Sequence, residues 1–255
     1  MAIYPAGGYT GNYLKELLEK DHVESLAIIT KDNTRENFIA VDMGTNSQYR
    51  FCMPGPVLQK EEWEEFLDKI ESIEDVEFIV ASGSLPQGVP EDLFGRIAAI
   101  AKNKKTKLIL DTSGIPLKYA LEKGVYLWKP NLGELSSLAG SDELNEDTAV
   151  KAAKKVIDDG MAQIIVVSLG AGGAILVTKD HCERFSTPVI SRKSTVGAGD
   201  SMVAGIVLSL SKKKPLPDAV RYGIACGTAV TMNPGTELCK AVDVERLYKT
   251  FSKSE

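Results

Sequence analysis

The segment Ile164-Ile165-Val166-Val167 determines the fold class, because four consecutive apolar residues fill both faces of a short strand. The preceding residues 145–158 carry their apolar side chains at helical spacing. Uniformly apolar strands that alternate with helices are typical of a parallel sheet covered on both faces. The segment therefore predicts an α/β protein with a mostly parallel sheet.

The same alternation extends along the chain in both directions. The patterns predict helices at 61–70, 92–102, 145–158, 200–211, 218–231 and 243–251, one helix starting after Asn131, strands at 78–80, 107–110, 125–129 and 164–167, and a hairpin of 173–178 with 182–185. The sequence has no internal repeat or low-complexity linker. We therefore predict one α/β domain over residues 1–255.

Residues at about 25–55 differ from the rest of the chain. Three strand-like runs, 25–30, 37–41 and 48–53, follow one another without a helix between them, and Pro54-Gly55-Pro56 ends the region. This pattern predicts an antiparallel β excursion that is set apart from the main sheet.

The chain opens with a short apolar segment, 1–6, which runs into Gly7-Gly8 and then into an amphipathic stretch at 13–20. The two glycines predict a turn from a strand to a helix. The apolar segment is typical of a middle strand of an α/β sheet.

Composition excludes several classes of protein. The 255 residues include 30 Lys plus Arg and 35 Asp plus Glu, which gives a net charge of −5, and 44% of them are hydrophobic. This is ordinary globular composition without the basic face that a nucleic-acid partner requires. The four cysteines are far apart and form no Cys-x-x-Cys pair, so neither a zinc site nor a disulfide framework is predicted. No apolar run has the ~18 residues of a membrane span, and we expect a cytoplasmic protein without a membrane partner.

The strongest chemical signal is the stretch Ser194-Thr195-Val196-Gly197-Ala198-Gly199-Asp200-Ser201-Met202, which precedes an apolar helical pattern. Glycines at a helix start allow the backbone N–H groups to approach and bind an anion. Asp200 is then either a helix cap or a general base beside a phosphoryl group held by Gly197, Ala198 and Gly199. The stretch by itself leaves both interpretations open.

This stretch resembles the second signature of the ribokinase-like (PfkB) carbohydrate kinases, with Ser194 in place of the usual aspartate. The resemblance extends from Ala2 to about Tyr248, and segments 34–37 and 48–55 are most similar to the phosphofructokinase branch. Four other segments resemble family elements in order and spacing: 79–88, 129–135, 166–174 and 231–236.

The resemblance implies a ribokinase-like three-layer α/β fold with a small antiparallel β lid. It also implies transfer of the γ-phosphoryl group of ATP to the C1 hydroxyl of fructose 6-phosphate, with Mg²⁺ on the triphosphate and Asp200 as the base. Three alternatives stay open: a tagatose-6-phosphate kinase, a fructose-1-phosphate kinase, and a homologue that binds nucleotide but has little or no activity.

Particular residues match the family's functional positions. The resemblance implies sugar-phosphate binding by Arg35, Gly83 and Ser84. It implies nucleotide binding by Lys129, Asn131, Ser168, Gly170, Gly173, Thr195, Gly223, Gly227 and Thr228. Glu134 matches the residue that holds Mg²⁺ through water, and the positions of a monovalent cation such as K⁺ correspond to Ser194, Val196, Val230, Asn233, Gly235 and Glu237. These residues also have ordinary structural explanations. Gly83 and Ser84 would form a turn, Arg35 would lie on the surface, Glu134 would interact with a helix dipole, and the small residues at 223, 227 and 228 would allow close helix packing.

The resemblance also concerns the oligomer and the start of the sequence. The family's lid pairs with the lid of a second subunit, which implies a homodimer.

Family members normally begin with a strand that bears a substrate-binding aspartate and then a Gly-Gly-x-x-x-Asn-x-Ala signature, and neither is recognisable around Ala2. We expect the N-terminal part of the family pattern to be missing, and ATP binding to be better preserved than turnover.

Overall fold

The computed structural model describes residues 1–42, 44–45 and 47–251. Its helices are α1 Gly8–Lys20, α2 Lys60–Ser72, α3 Leu93–Lys104, α4 Gly114–Leu121, α5 Leu132–Ala139, α6 Glu146–Asp158, α7 Ala198–Ser211, α8 Leu216–Val230 and α9 Ala241–Phe251. Its strands are β1 Ala2–Ala6, β2 Ser25–Ile29, β3 Asn37–Val41, β4 Gln48–Cys52, β5 Phe78–Ser82, β6 Lys107–Asp111, β7 Val125–Trp128, β8 Ala162–Ser168, β9 Ala174–Thr178 and β10 Cys182–Phe185. In this described part, no helix is both long and apolar enough to cross a membrane.

A six-stranded sheet organises the molecule in the order β10-β9-β8-β7-β6-β5. Strands β5 to β8 are parallel, whereas β9 and β10 form the antiparallel hairpin that ends the sheet. The predicted α/β class and the predicted hairpin are confirmed.

Strand β8 explains why four apolar residues in a row belong here. Ile165 and Val167 point into a core formed with helices α3, α4 and α6, while Ile164 and Val166 point into a second core formed with α7 and α8. Successive side chains of a strand alternate between the two faces of a sheet, so a strand covered by helices on both sides is apolar throughout.

The strand predicted at 25–30 is real, but its predicted place in the excursion is wrong. Strand β2 pairs in parallel with β1, from Ala2 opposite Ser25 to Ala6 opposite Ile29. Helix α1 begins at Gly8, which is earlier than the amphipathic stretch indicated, and provides the crossover that a parallel pair requires. Within the described residues β1 pairs with β2 alone, so β1 is not the middle strand that its composition indicated.

The antiparallel excursion therefore consists of β3 and β4 only. The rings of Phe38 and Phe51 stack across this pair with centroids 5.0 Å apart. Both rings are about half exposed, at 55% and 47%. The β3–β4 pair thus presents an apolar surface to solvent.

Candidate active site

Three predicted site residues, together with Asp111, lie where the parallel strands end. Gly83 follows β5, Asp111 ends β6, Lys129 follows β7 and Ser168 ends β8. Because these strands are parallel and adjacent, their carboxyl ends meet at one edge of the sheet. Open α/β sheets bind ligands at this edge.

The glycine-rich turn before α7 meets the sheet at the same edge. Gly197 has a φ of 72°, a left-handed conformation that favours glycine, and it precedes the first residue of α7. No side chain caps the helix. The first backbone N–H groups of α7 are therefore free to bind an anion, as the sequence predicts.

Asp200 is the third residue of α7, and its side chain is exposed. Its carboxylate forms no hydrogen bond or ion pair with any residue that the structure describes. The helix-cap interpretation of Asp200 is therefore wrong. An exposed carboxylate beside an anion-binding turn is available to accept a proton.

A buried ion pair lies beside this turn. The Nζ atom of Lys129 is 3.1 Å from Oδ1 of Asp111, and the two side chains are 6% and 15% exposed. A Cβ atom on Gly199 would lie 3.5 Å from Lys129 Nζ and 4.0 Å from Asp111 Oδ2. The ion pair therefore lies beside Gly199, at a distance that a single added carbon atom would fill.

The largest group of predicted nucleotide-binding residues surrounds one cavity. This cavity, here called the α7–α8 cavity, has a volume of about 500 Å³ and lies between helices α7 and α8 and the turns after β8 and β10. Apolar side chains of Ile190, Met202 and Ile224 form part of its wall. The predicted residues that line it are Ser168, Gly170, Gly173, Thr195, Ala198, Gly199, Gly227 and Thr228.

Three predicted nucleotide-binding residues are outside the lining of this cavity. The ammonium of Lys129 is paired with Asp111. The side chain of Asn131 caps α5 by accepting the Glu134 N–H at 2.8 Å. Gly223 is buried at the α7–α8 contact, where a Cβ atom would lie 2.6 Å from Cγ1 of Ile206. Close helix packing accounts for Gly223, whereas Gly227 lies at the same helix contact and also lines the cavity.

A second cavity of about 530 Å³ holds the predicted sugar-binding residues Gly83 and Ser84, together with Asp111 and Glu134. We call it the β5–β6 cavity. Glu134 also lines a neighbouring cavity of about 520 Å³ beside α4 and α5. Gly199 lines the α7–α8 cavity, and a Cβ atom on it would lie 4.0 Å from Asp111, which lines the β5–β6 cavity, so the glycine-rich turn is adjacent to both cavities.

Arg35 lies outside these cavities. It is exposed in the segment that leads into β3, and its guanidinium lies near Gly55, where a Cβ atom would be 3.5 Å from Nη1. It lines none of the three cavities described here. The predicted sugar-phosphate residues are therefore divided between the β5–β6 cavity and the excursion.

Ser194, Val196 and Gly235 of the predicted monovalent-cation set are neighbours. Buried Ser194 donates from Oγ to the Gly235 carbonyl at 2.7 Å, and the same Oγ accepts the Val196 N–H. Val230 ends α8, and Asn233 and Glu237 lie in the loop that follows. A hydrogen bond thus joins the two segments, at Ser194 and at Gly235, whose backbone carbonyls are predicted to bind the cation.

A model of the pfkB family of carbohydrate kinases matches residues 2–242. The chain belongs to this family. Two curated relatives are the ATP-dependent 6-phosphofructokinase isozyme 2 of Mycobacterium tuberculosis and the 1-phosphofructokinase of Bacillus subtilis. The first is 43% identical over 97% of this chain and 73% of its own, and the second is 33% identical over 91% of this chain and 76% of its own. The crystal structure of Escherichia coli phosphofructokinase-2 in complex with potassium superposes with a TM-score of 0.93 and 38% identity, over 98% of this chain and 81% of that one. The chain therefore has the ribokinase-like fold of these kinases.

Asp111 of this PfkB family member is a site residue that none of the predicted motifs contains. The residue ends a strand whose neighbours end in Ser82 and Trp128-Lys129, so the strand-end rule by itself points to it. Its pairing with Lys129 depends on the register of two parallel strands, which is a tertiary property that motif spacing does not contain.

Proposed function

We propose that the chain is a 6-phosphofructokinase, which transfers the γ-phosphoryl group of ATP to the C1 hydroxyl of fructose 6-phosphate. One observation carries the proposal. The unpaired carboxylate of Asp200 and the free N–H groups of α7 lie on a turn adjacent to two cavities. This arrangement suits in-line transfer from a donor in one cavity to an acceptor in the other.

The α7–α8 cavity is the proposed nucleotide site. Its apolar wall and the surface at Gly227 and Thr228 suit an adenine ring, while Ser168 and Thr195 offer hydroxyl groups to ribose or phosphate oxygens. The terminal phosphoryl group then lies at the first turn of α7, where N–H groups and the helix dipole stabilise its charge.

Asp200 is the proposed general base. The acceptor hydroxyl loses its proton to the Asp200 carboxylate as the oxygen attacks the γ-phosphorus, and the bond to the β-phosphate oxygen breaks. The N–H groups of Gly197, Ala198 and Gly199 bind the oxygens of the phosphoryl group during transfer. The Lys129–Asp111 ion pair lies beside this turn at Gly199.

The residues present fit Mg²⁺ held mainly by substrate and water. Among the described residues there is no group of three or more His, Cys, Asp or Glu side chains suited to a metal, whereas Glu134 presents a carboxylate to the β5–β6 cavity. Mg²⁺ retains several waters and is commonly held by one or two carboxylates and phosphate oxygens. When bound, the ion would neutralise charge on the triphosphate. We also propose that K⁺ binds near Ser194 and Gly235, because carbonyl oxygens are suitable ligands for it.

Fructose 6-phosphate is the proposed acceptor because the relatives named for that activity are more similar to this chain than the 1-phosphofructokinase. In this proposal Gly83 and Ser84 contact the sugar in the β5–β6 cavity, and Arg35 binds the phosphate when the excursion covers the cavity. A second copy of the chain covers the half-exposed Phe38 and Phe51, which gives a homodimer. We also propose a cytoplasmic location, because the two proposed substrates, a sugar phosphate and ATP, are found there.

The test compares initial rates on fructose 6-phosphate, fructose 1-phosphate and tagatose 6-phosphate at saturating ATP and Mg²⁺. We expect the highest kcat/KM with fructose 6-phosphate. A higher value with another sugar phosphate would assign the chain to that kinase. Nucleotide binding without turnover on any of the three would instead identify an inactive homologue.

A further inference from the structure

Arg192 is the only described residue lining the α7–α8 cavity that has an ionisable side chain. The side chain is exposed, and it forms no hydrogen bond or ion pair with any described residue. A guanidinium at the edge of a cavity, without a protein partner, has its full hydrogen-bonding capacity available to a ligand.

The backbone next to Arg192 is anchored. The N–H groups of Lys193 and Ser194 both donate to the carbonyl of Thr231, at 2.8 and 3.2 Å, and Thr231 itself lines the cavity. Ser194 is further bonded to Gly235. Arg192 is therefore held beside the cavity by its neighbours, while its own side chain stays free to bind.

The proposed nucleotide carries several negatively charged phosphates, and the rest of the cavity offers little positive charge to neutralise them. Ile190, Met202 and Ile224 are apolar, and the first turn of α7 is suited to one phosphoryl group. The nearby ammonium of Lys129 is already paired with Asp111. The other phosphates of a bound nucleotide would thus meet mostly neutral groups.

We propose that Arg192 is a nucleotide-binding residue that contacts the α- and β-phosphates and makes the cavity prefer nucleoside diphosphates and triphosphates to nucleosides. The inference rests on the proposed nucleotide site and extends it to a particular side chain. A guanidinium binds two phosphate oxygens through parallel N–H groups, and recruiting Arg192 breaks no existing ion pair.

The experiment measures nucleotide binding by calorimetry in the absence of any sugar phosphate. ATP, ADP and adenosine are titrated into the wild type, Arg192→Ala, Arg192→Lys and, as the matched control, Lys193→Ala, after a thermal melt has shown that each variant is folded. We expect Arg192→Ala to bind ATP and ADP about five- to twentyfold more weakly, as the loss of a charged hydrogen-bonding partner predicts. Adenosine should bind all four proteins equally, Arg192→Lys should recover part of the loss, and Lys193→Ala should match the wild type.

Raising the salt concentration provides a second readout. ADP affinity should decrease with salt more steeply for the wild type than for Arg192→Ala, because the variant lacks the screened charge interaction. A helix or loop displaced by the substitution would lower affinity without changing this dependence.

Several results would overturn the inference. They are unchanged ADP affinity in Arg192→Ala, an equal loss of adenosine affinity, or no nucleotide binding by the wild type. The proposed activity fails separately: a wild type that binds ADP through Arg192 but does not phosphorylate fructose 6-phosphate would support the inference and contradict the activity.

Discussion

Lys129 Nζ and Asp111 Oδ1 are 3.1 Å apart, and this ion pair links the ends of the neighbouring strands β7 and β6 beside Gly199 of the glycine-rich turn. The same ion pair therefore belongs both to the core and to the site. Its removal should affect stability and catalysis together.

Asp111→Asn leaves a nearly buried ammonium without its counter-charge. We expect the free energy of unfolding to decrease by about 3 kcal/mol, as measured by urea unfolding at pH 7. The control is Glu77→Gln, because Glu77 pairs with Lys107 and Lys213 at the surface, where solvent screens the charges and loss of the pair should cost much less. Equal costs in the two variants would contradict a special role for the buried pair.

Asp200→Asn keeps the size of the side chain but removes the proposed base. We expect kcat to decrease by about 10²- to 10⁴-fold, while the affinity for ATP changes little because Asp200 is outside the lining of the α7–α8 cavity. Steady-state kinetics with fructose 6-phosphate measure the first effect and calorimetry measures the second. A near-normal kcat would remove Asp200 from the mechanism.

Gly197→Ala forces a Cβ atom onto a residue with a φ of 72°, although the side chain itself would meet no atom within 4 Å. We expect a stability cost of about 1 kcal/mol and a clear loss of kcat, because the strain is relieved by moving the N–H groups of the turn. Gly140→Ala is the matched control, since Gly140 has a φ of 66° and similarly open surroundings at the end of α5. It should lose similar stability and keep its activity, and loss of activity in both variants would indicate a general effect of instability.

Phe51→Ser should weaken the proposed dimer, because it removes one of two stacked, half-exposed rings from the β3–β4 pair. Sedimentation velocity over a range of protein concentrations measures the shift toward monomer. Val242→Ser is the control, since Val242 is also exposed but lies on α9. If both variants sediment as the wild type does, the proposal of a dimer interface on the β3–β4 pair is wrong.

Stability should decrease in alkaline solution. Burial raises the pKa of the Cys226 thiol to about 12, and burial together with the Glu245 hydrogen bond raises the pKa of Tyr222 to about 12. Above the ordinary thiol pKa of about 8.5 the unfolded chain loses protons that the folded chain keeps, so the unfolding free energy falls with pH until the folded-state pKa is reached. Urea midpoints at pH 8 and pH 10 measure this decrease, and it should be smaller in Cys226→Ala.

Local patterns predicted the sheet well, because apolar period and strand composition depend on neighbouring residues. Ile164 and Ile165 face opposite cores, as a strand buried on both sides requires. The partner of Ser25–Ile29 could not be predicted in this way, since β2 and any excursion strand have the same composition and differ only in what they pair with. The extent of the domain over residues 1–255 stays a prediction.

The sequence predicted the local structure of the site, but not the tertiary contacts of its residues. Residues of the glycine-rich stretch, such as Gly199, occupy the turn because their spacing fixes their local conformation. Lys129 and Gly223 fit the family pattern equally well, but their surroundings are an ion pair and a helix contact. A motif specifies which residue types are present, whereas burial and strand register determine which of them can reach a ligand.

The contact at Gly223 has a mechanical consequence. A Cβ atom there would lie 2.8 Å from the carbonyl oxygen of Met202, so α7 and α8 touch with no space for a larger residue. Close packing of α7 and α8 therefore fixes the distance between the anion-binding turn and the cavity wall at Gly227. We expect nucleotide to enter a space whose width folding has already set, and any closing movement to come from the β3–β4 pair and the segment that carries Arg35.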